Sequence, residues 1–190
     1  MALNFTDLDY SMHLAMHTIL AVDDEDIHLG AVRGIALANG FACEIARSPV
    51  EAWKKLSKNP YGYELLISDN SMPSINQPDS EYDYSTNEGL IHLANNIGCN
   101  EGLQLLRRIR NEQKLSSLDV IIYTGSDVEK QVEAFNAIYI QKQPHILNDI
   151  LRERSELYRD ASENPKEKTG RIYQKTKLGN DVAKRLKELE

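Results

Sequence analysis

Thr18-Ile19-Leu20-Ala21-Val22-Asp23-Asp24 decides how the chain is read: five uncharged residues, then two adjacent carboxylates. A strand exposed on one face would alternate polar and apolar residues. An unbroken run of this length suits a strand buried on both faces, ending where the acids begin. Working outward, the same form recurs: residues 63–68 stop at Asp69, residues 120–123 stop at Thr124-Gly125, and residues 137–141 stop at Lys142. Residues 41–46 make a fifth run. Between the runs the period changes to that of a helix. Ile27, Ala31, Ile35 and Ala38 fall on one helical face, and Asn39-Gly40 supplies residues that take positive φ at a helix end. Ser48-Pro49-Val50-Glu51 is a capping box with Pro at the first helical position, predicting a helix through Leu56. Further helical faces are Leu103, Leu106 and Ile109; Val128, Val132 and Phe135; and Ile146, Ile150 and Leu157. Strict β-α alternation predicts an α/β fold, a doubly wound five-stranded parallel sheet with helices on both faces.

Length and composition narrow the class. The chain has 190 residues, 41% hydrophobic and 27% charged, as expected of a soluble globular protein. No stretch approaches the roughly 20 apolar residues of a membrane span, and no basic region followed by an apolar run marks a secretory leader. Cys43 and Cys99 are too few for a disulfide scaffold and too isolated for a zinc site, so a cytoplasmic setting is expected. The net charge of −7 is uneven. From Ala161 onward there are eight Lys/Arg against five Asp/Glu, leaving fourteen against twenty-four in the acidic body. Such a body repels phosphates, which argues against nucleic-acid binding by it.

Four parts are expected: an N-terminal arm over 1–16, a domain over 17–158, an insertion at about 77–100 within it, and a basic, partly helical extension over 159–190. The insertion is too long for an ordinary βα loop. Within it Asn87-Glu88-Gly89-Leu90 recurs as Asn100-Glu101-Gly102-Leu103; either copy could open the third helix, and the second leads into the better helical pattern. In the tail, residues 181–190 have Val182, Leu186 and Leu189 on one helical face. The tail reads as a solvated extension with one helix docked on the body or on a second subunit of a homodimer, ahead of a nucleic-acid contact.

In a sheet of order 2-1-3-4-5, the first and third strands are neighbours, and ligands bind beyond the carboxyl ends of the strands where the winding reverses. Asp23, Asp24 and Asp69 end those two strands. Carboxylates brought together repel one another, so such a cluster either binds a divalent cation or has raised pKa values; a hard ion such as Mg²⁺ suits three oxygen donors. Thr124 and Lys142 bring a hydroxyl and an ammonium to the same edge, which suits the peripheral oxygens of a transferred phosphoryl group. Singly, each feature is ordinary: Asp after a strand caps helices, Asp69-Asn70-Ser71 is a turn composition, and Tyr139 reads as a half-buried strand aromatic. Those readings give no reason for all of them to fall on one edge of one sheet. His13, His17, His28, His92 and His145 show no ligand spacing and read as surface or packing residues.

In these residues the chain resembles the receiver domain of two-component response regulators. The matching residues are the acidic pair in Val22-Asp23-Asp24-Glu25, the segment Ile67-Ser68-Asp69-Asn70-Ser71-Met72-Pro73, Thr124-Gly125, Lys142, and Tyr139 three residues before it. The resemblance covers about residues 17 to 155. It implies a flavodoxin-like sheet and a place in a phosphorelay. Asp69 would be the phosphoacceptor; Asp23, Asp24, Asp69 and the backbone carbonyl of Ser71 would hold Mg²⁺; Thr124 and Lys142 would bind phosphoryl oxygens. Tyr139 would be the aromatic whose rotamer follows Thr124. The implied partners are a histidine kinase or phosphotransfer protein and a downstream protein, with no membrane. The chain would catalyse only its own phosphotransfer and dephosphorylation and turn over no outside metabolite.

Two features depart from the family pattern. Receivers usually have Pro directly after the lysine, linked by a cis bond, whereas here the order is Lys142-Gln143-Pro144. A cis bond before Gln143 would cost about 3 kcal/mol, so trans is expected there. The insertion is the other departure, since the family's loop there is short. These departures suggest a rival, a receiver-like interaction module that does not switch; the basic tail suggests another, a DNA-binding regulator.

Overall fold

The computed structural model describes residues 17–72 and 100–163. Five parallel strands, β1 (Thr18–Val22), β2 (Ala42–Ala46), β3 (Leu65–Ser68), β4 (Asp119–Thr124) and β5 (Ile138–Gln141), pair in the order β2-β1-β3-β4-β5. This is the doubly wound order expected from the sequence. The connecting helices are α1 (Asp26–Ala38), α2 (Pro49–Lys58), α3 (Glu101–Asn111), α4 (Glu129–Glu133) and α5 (Pro144–Glu163). The expected N-terminal arm, the first Asn-Glu-Gly-Leu copy with nearly all of the insertion, and the helix at 181–190 lie outside the described residues. Among those described, no helix is long and apolar enough to cross a membrane.

Side chains alternate across a strand, so each apolar run supplies both faces of the sheet. Ile19 and Ala21 of β1, with Leu65, Ile67, Ile121 and Ile140, pack under α1 and α5. Leu20 and Val22, with Leu66, Val120 and Ile122, pack under α2, α3 and α4. The absence of alternation in the sequence is thus the record of two cores sharing one sheet.

The face of α1 differs from expectation. Leu29, Val32 and Ala36 are buried, whereas Ile27 is 76% exposed and Ala31 and Ala38 face solvent. α1 is apolar around much of its circumference, so period alone offers two stripes. The stripe that packs brings the large side chains of Leu29 and Val32 to the sheet and the small Ala36 into the same core. The helix ends agree with the sequence. Gly40 has φ 83° beyond α1. At α2 the Glu51 N–H donates to Ser48 Oγ (3.1 Å), and the Glu51 carboxylate reaches back to the Arg47 N–H (2.9 Å).

One side chain ties two connections together. From α3, Arg110 Nε donates to the Phe135 carbonyl (2.7 Å), Nη1 to those of Ser116 (3.2 Å) and Leu118 (2.8 Å), and Nη2 to that of Asn136 (3.0 Å). Asn136 is in the left-handed region at φ 51°, which asparagine adopts more readily than most residues. Arg110→Ala is therefore expected to cost about 3 kcal/mol, roughly 10 °C in thermal denaturation, by stripping charged donors from partly buried carbonyls. Arg110→Lys should recover little, because an ammonium lacks the planar fork. An unchanged melting temperature in the Ala variant would contradict this role.

Candidate functional site

Register brings the acidic residues together. Val22 of β1 is paired with Ser68 of β3, so Asp23 and Asp69, the next residue of each strand, leave the sheet side by side. The Asp69 N–H donates to the Val22 carbonyl (2.8 Å) and the Asp23 N–H to that of Ala46 (3.2 Å), fixing both backbones. Asp23, Asp24 and Asp69 each place a carboxylate oxygen within 4.8 Å of the others. Asp23 and Asp69 are each only 5% exposed, while Asp24 is open to solvent. Desolvation, joined by the charges of Asp23, Asp69 and Glu25, holds the Asp24 carboxyl above the ordinary carboxylate range against a backbone hydrogen bond that lowers it.

The ammonium arrives from β5. Thr124 of β4 and Gln141 of β5 are register partners, and the Lys142 N–H donates to the Thr124 carbonyl (3.0 Å). Lys142 Nζ then lies 3.0 Å from Asp23 Oδ2 and 3.3 Å from Asp69 Oδ2. Asp69 Oδ1 accepts the Asn70 N–H (2.7 Å), so the carboxylate is held at both oxygens. No peptide bond among the described residues is cis. The extra residue of Lys142-Gln143-Pro144 instead puts Pro144 at the first position of α5, where its missing N–H costs no helical bond.

Beyond the ends of β3 and β4 stands a group of hydroxyls. Thr124 is fully buried; its Oγ1 lies 3.4 Å from Ser71 Oγ and accepts the Ser126 N–H (3.3 Å). Ser71 Oγ is hydrogen-bonded to Ser126 Oγ, and the Tyr139 hydroxyl donates to the Ser126 carbonyl (3.1 Å). Of the residues singled out from the sequence, Asp23, Asp24, Asp69 and Lys142 form one group and Ser71, Thr124 and Tyr139, with Ser126 added, form a second, the two joined by the Lys142 N–H to Thr124 carbonyl bond. The signal for Ser126 lay in being two residues beyond Thr124, on the turn leaving β4.

Asn70 explains the third helix. Its Oδ1 accepts the Leu103 N–H (3.1 Å), and its Nδ2 donates to Asn100 Oδ1 (3.1 Å), so a side chain at the end of β3 caps α3. The second Asn-Glu-Gly-Leu copy opens this helix, and its glycine is sterically required. A Cβ on Gly102 would lie 2.2 Å from the Asp69 carbonyl oxygen and 2.7 Å from Asn70 Cα, both backbone atoms. α3 is seated directly on the strand end that carries Asp69.

His28 has a partner that the sequence does not show. Read as a surface or packing residue, it projects from α1 with Nδ1 2.9 Å from Lys142 Nζ. No spacing could show this, since the partners are 114 residues apart.

No family model and no curated protein matches the sequence. Solved structures do match. The chemotaxis response regulator CheY4 of Vibrio cholerae superposes with a TM-score of 0.54 at 20% identity, covering 74% of this chain and 98% of that one. The chain has the receiver-domain fold. A putative response regulator from Chloroflexus aurantiacus (0.51, 22% identity, 77% and 95% covered) and a CheY-like receiver domain protein from Methanospirillum hungatei (0.51, 19%, 76% and 98%) agree. In each pair the receiver is covered almost whole, while about a quarter of this chain lies outside the match.

The donor set fits a hard divalent ion. Three carboxylates converge, two of them buried, and Lys142 is the single Lys or Arg paired with them among the described residues, which leaves negative charge in excess. All three offer oxygen.

Proposed function

We propose that this receiver fold acts in the cytoplasm as a phosphoacceptor, taking a phosphoryl group on Asp69 from a histidine kinase or phosphotransfer protein. The observation that carries the reading is the Lys142 ammonium held 3.3 Å from Asp69 Oδ2 beside the acidic pair, an arrangement assembled from the ends of β1, β3 and β5. In the transfer, an Asp69 carboxylate oxygen attacks phosphorus, the donor's P–N bond breaks, and the imidazole leaves. In the reverse loss, water attacks phosphorus, the Asp69 O–P bond breaks, and inorganic phosphate departs. Mg²⁺, held by Asp23, Asp24, Asp69 and the Ser71 carbonyl, would supply positive charge to offset repulsion between carboxylates and phosphate.

Lys142 and the Thr124 hydroxyl meet the phosphoryl oxygens as charge builds on them. Drawing Thr124 toward the phosphoryl group would loosen its contact with the Ser126 turn, to which the Tyr139 hydroxyl is tied, and so repack the α4, β5 and α5 face. Differential contact with the two arrangements is what would shift the population presented to a downstream protein. The chain turns over no external metabolite in this scheme.

Incubation with a small phosphodonor is the test. Intact-mass measurement is expected to show one added phosphoryl group in Mg²⁺ and none after chelation. Equal labelling in chelator and in excess Mg²⁺ would contradict the metal-dependent site.

A further inference from the structure

We infer that His28 is a positioning residue that anchors the Lys142 ammonium, an inference that rests on the receiver reading only for its effect on phosphotransfer. Lys142 makes two hydrogen bonds through Nζ, to Asp23 Oδ2 (3.0 Å) and to His28 Nδ1 (2.9 Å), and a longer charge contact with Asp69 Oδ2 (3.3 Å). An ammonium only donates, so Nδ1 accepts and the ring proton sits on Nε2. The approaches of Nδ1 to Asp23 Oδ2 (3.4 Å) and Glu25 Oε2 (3.6 Å) are then not hydrogen bonds.

A lysine head on a four-carbon stem is poorly oriented by one carboxylate, because its three donors rotate together. Two fixed acceptors on different elements remove that freedom. Asp23 is set by the β1 end. His28 is set by the first turn of α1, where its own N–H donates to the Glu25 carbonyl (3.0 Å). With two N–H groups so directed, the third is left on the Asp69 side, where a phosphoryl oxygen would arrive. His28 is itself partly exposed, and as an acceptor at Nδ1 it orients the ammonium through a lone pair rather than a charge.

His28→Leu keeps bulk without an acceptor, and His28→Asn restores an acceptor near the Nδ1 position; both sit on a partly exposed helical turn. Two readouts are taken on the full chain: the Lys142 ammonium signal in nitrogen-15 NMR, and the rate of labelling by a small phosphodonor in Mg²⁺. The ammonium signal is expected in the wild type and in His28→Asn, and broadened beyond detection in His28→Leu. Labelling should fall about tenfold in His28→Leu and recover in His28→Asn, as loss of one charged hydrogen bond would give. In a Lys142→Ala background, His28→Leu should have no further effect. Equal rates in the Leu and Asn variants, or a full His28→Leu effect without Lys142, would overturn the inference. Should the wild type take no label at all, the receiver reading fails. The ammonium signal alone then decides the anchor: lost in Leu and kept in Asn supports it, kept in Leu overturns it.

Discussion

Asp69→Asn leaves the protein folded and abolishes labelling by a small phosphodonor in Mg²⁺. An amide is not a nucleophile toward phosphorus, and it brings no charge to the metal site. The fold should tolerate the change, since the amide oxygen can still accept the Asn70 N–H that Asp69 Oδ1 accepts now. Removing one of three mutually repelling carboxylates offsets the loss of the contact with Lys142. Circular dichroism and intact mass together check both halves. Wild-type labelling of the Asn variant would move the phosphoacceptor elsewhere, with Asp24 the first residue to examine.

The second large effect concerns stability. Gly102→Ala is expected to cost about 2–3 kcal/mol, roughly 5–10 °C in melting temperature, although Ala is the better helix former. The added methyl meets the backbone of Asp69 and Asn70, which cannot rotate aside as a side chain could. Relief requires α3 to lift from the strand end, stretching the Leu103 to Asn70 hydrogen bond. The control is the same substitution in α1. A Cβ at Gly30 or Gly34 meets nothing within 4 Å, so Ala there should raise stability by about 0.5–1 kcal/mol. Stabilisation at all three positions would show that α3 is not seated on the Asp69 backbone.

Much of this arrangement was legible in the sequence because the sheet is buried on both faces. Burial on both faces turned β1, β3 and β4 into apolar runs with sharp ends, so that Asp23, Asp69 and Thr124 are marked by where those runs stop, and Lys142 by where the β5 run stops. The helix ends were equally plain at Ser48 and at Gly40, where local chemistry decides the geometry. What local pattern could not show was contact between distant segments. α1 carried two apolar stripes, and only the sheet beneath it selects Leu29, Val32 and Ala36 over Ile27 and Ala31. The glycine in Asn100-Glu101-Gly102-Leu103 was visible as part of a repeat, yet its reason is a backbone more than thirty residues away. Nothing in the local pattern marks Arg110, whose acceptors are carbonyls of two loops. The partner of His28 is hidden for the same cause, since it lies 114 residues away in the chain.

The central claim is that a phosphoryl group is carried on the Asp69 carboxylate. Borohydride reduces an acyl phosphate to the alcohol, so an aspartyl phosphate is converted to homoserine and the position is recorded in the peptide mass. The wild-type chain, incubated with a small phosphodonor and Mg²⁺ and then reduced and digested, should carry homoserine at position 69 and at no other aspartate. An unreduced Asp69 in a chain shown by intact mass to have been phosphorylated would contradict the account.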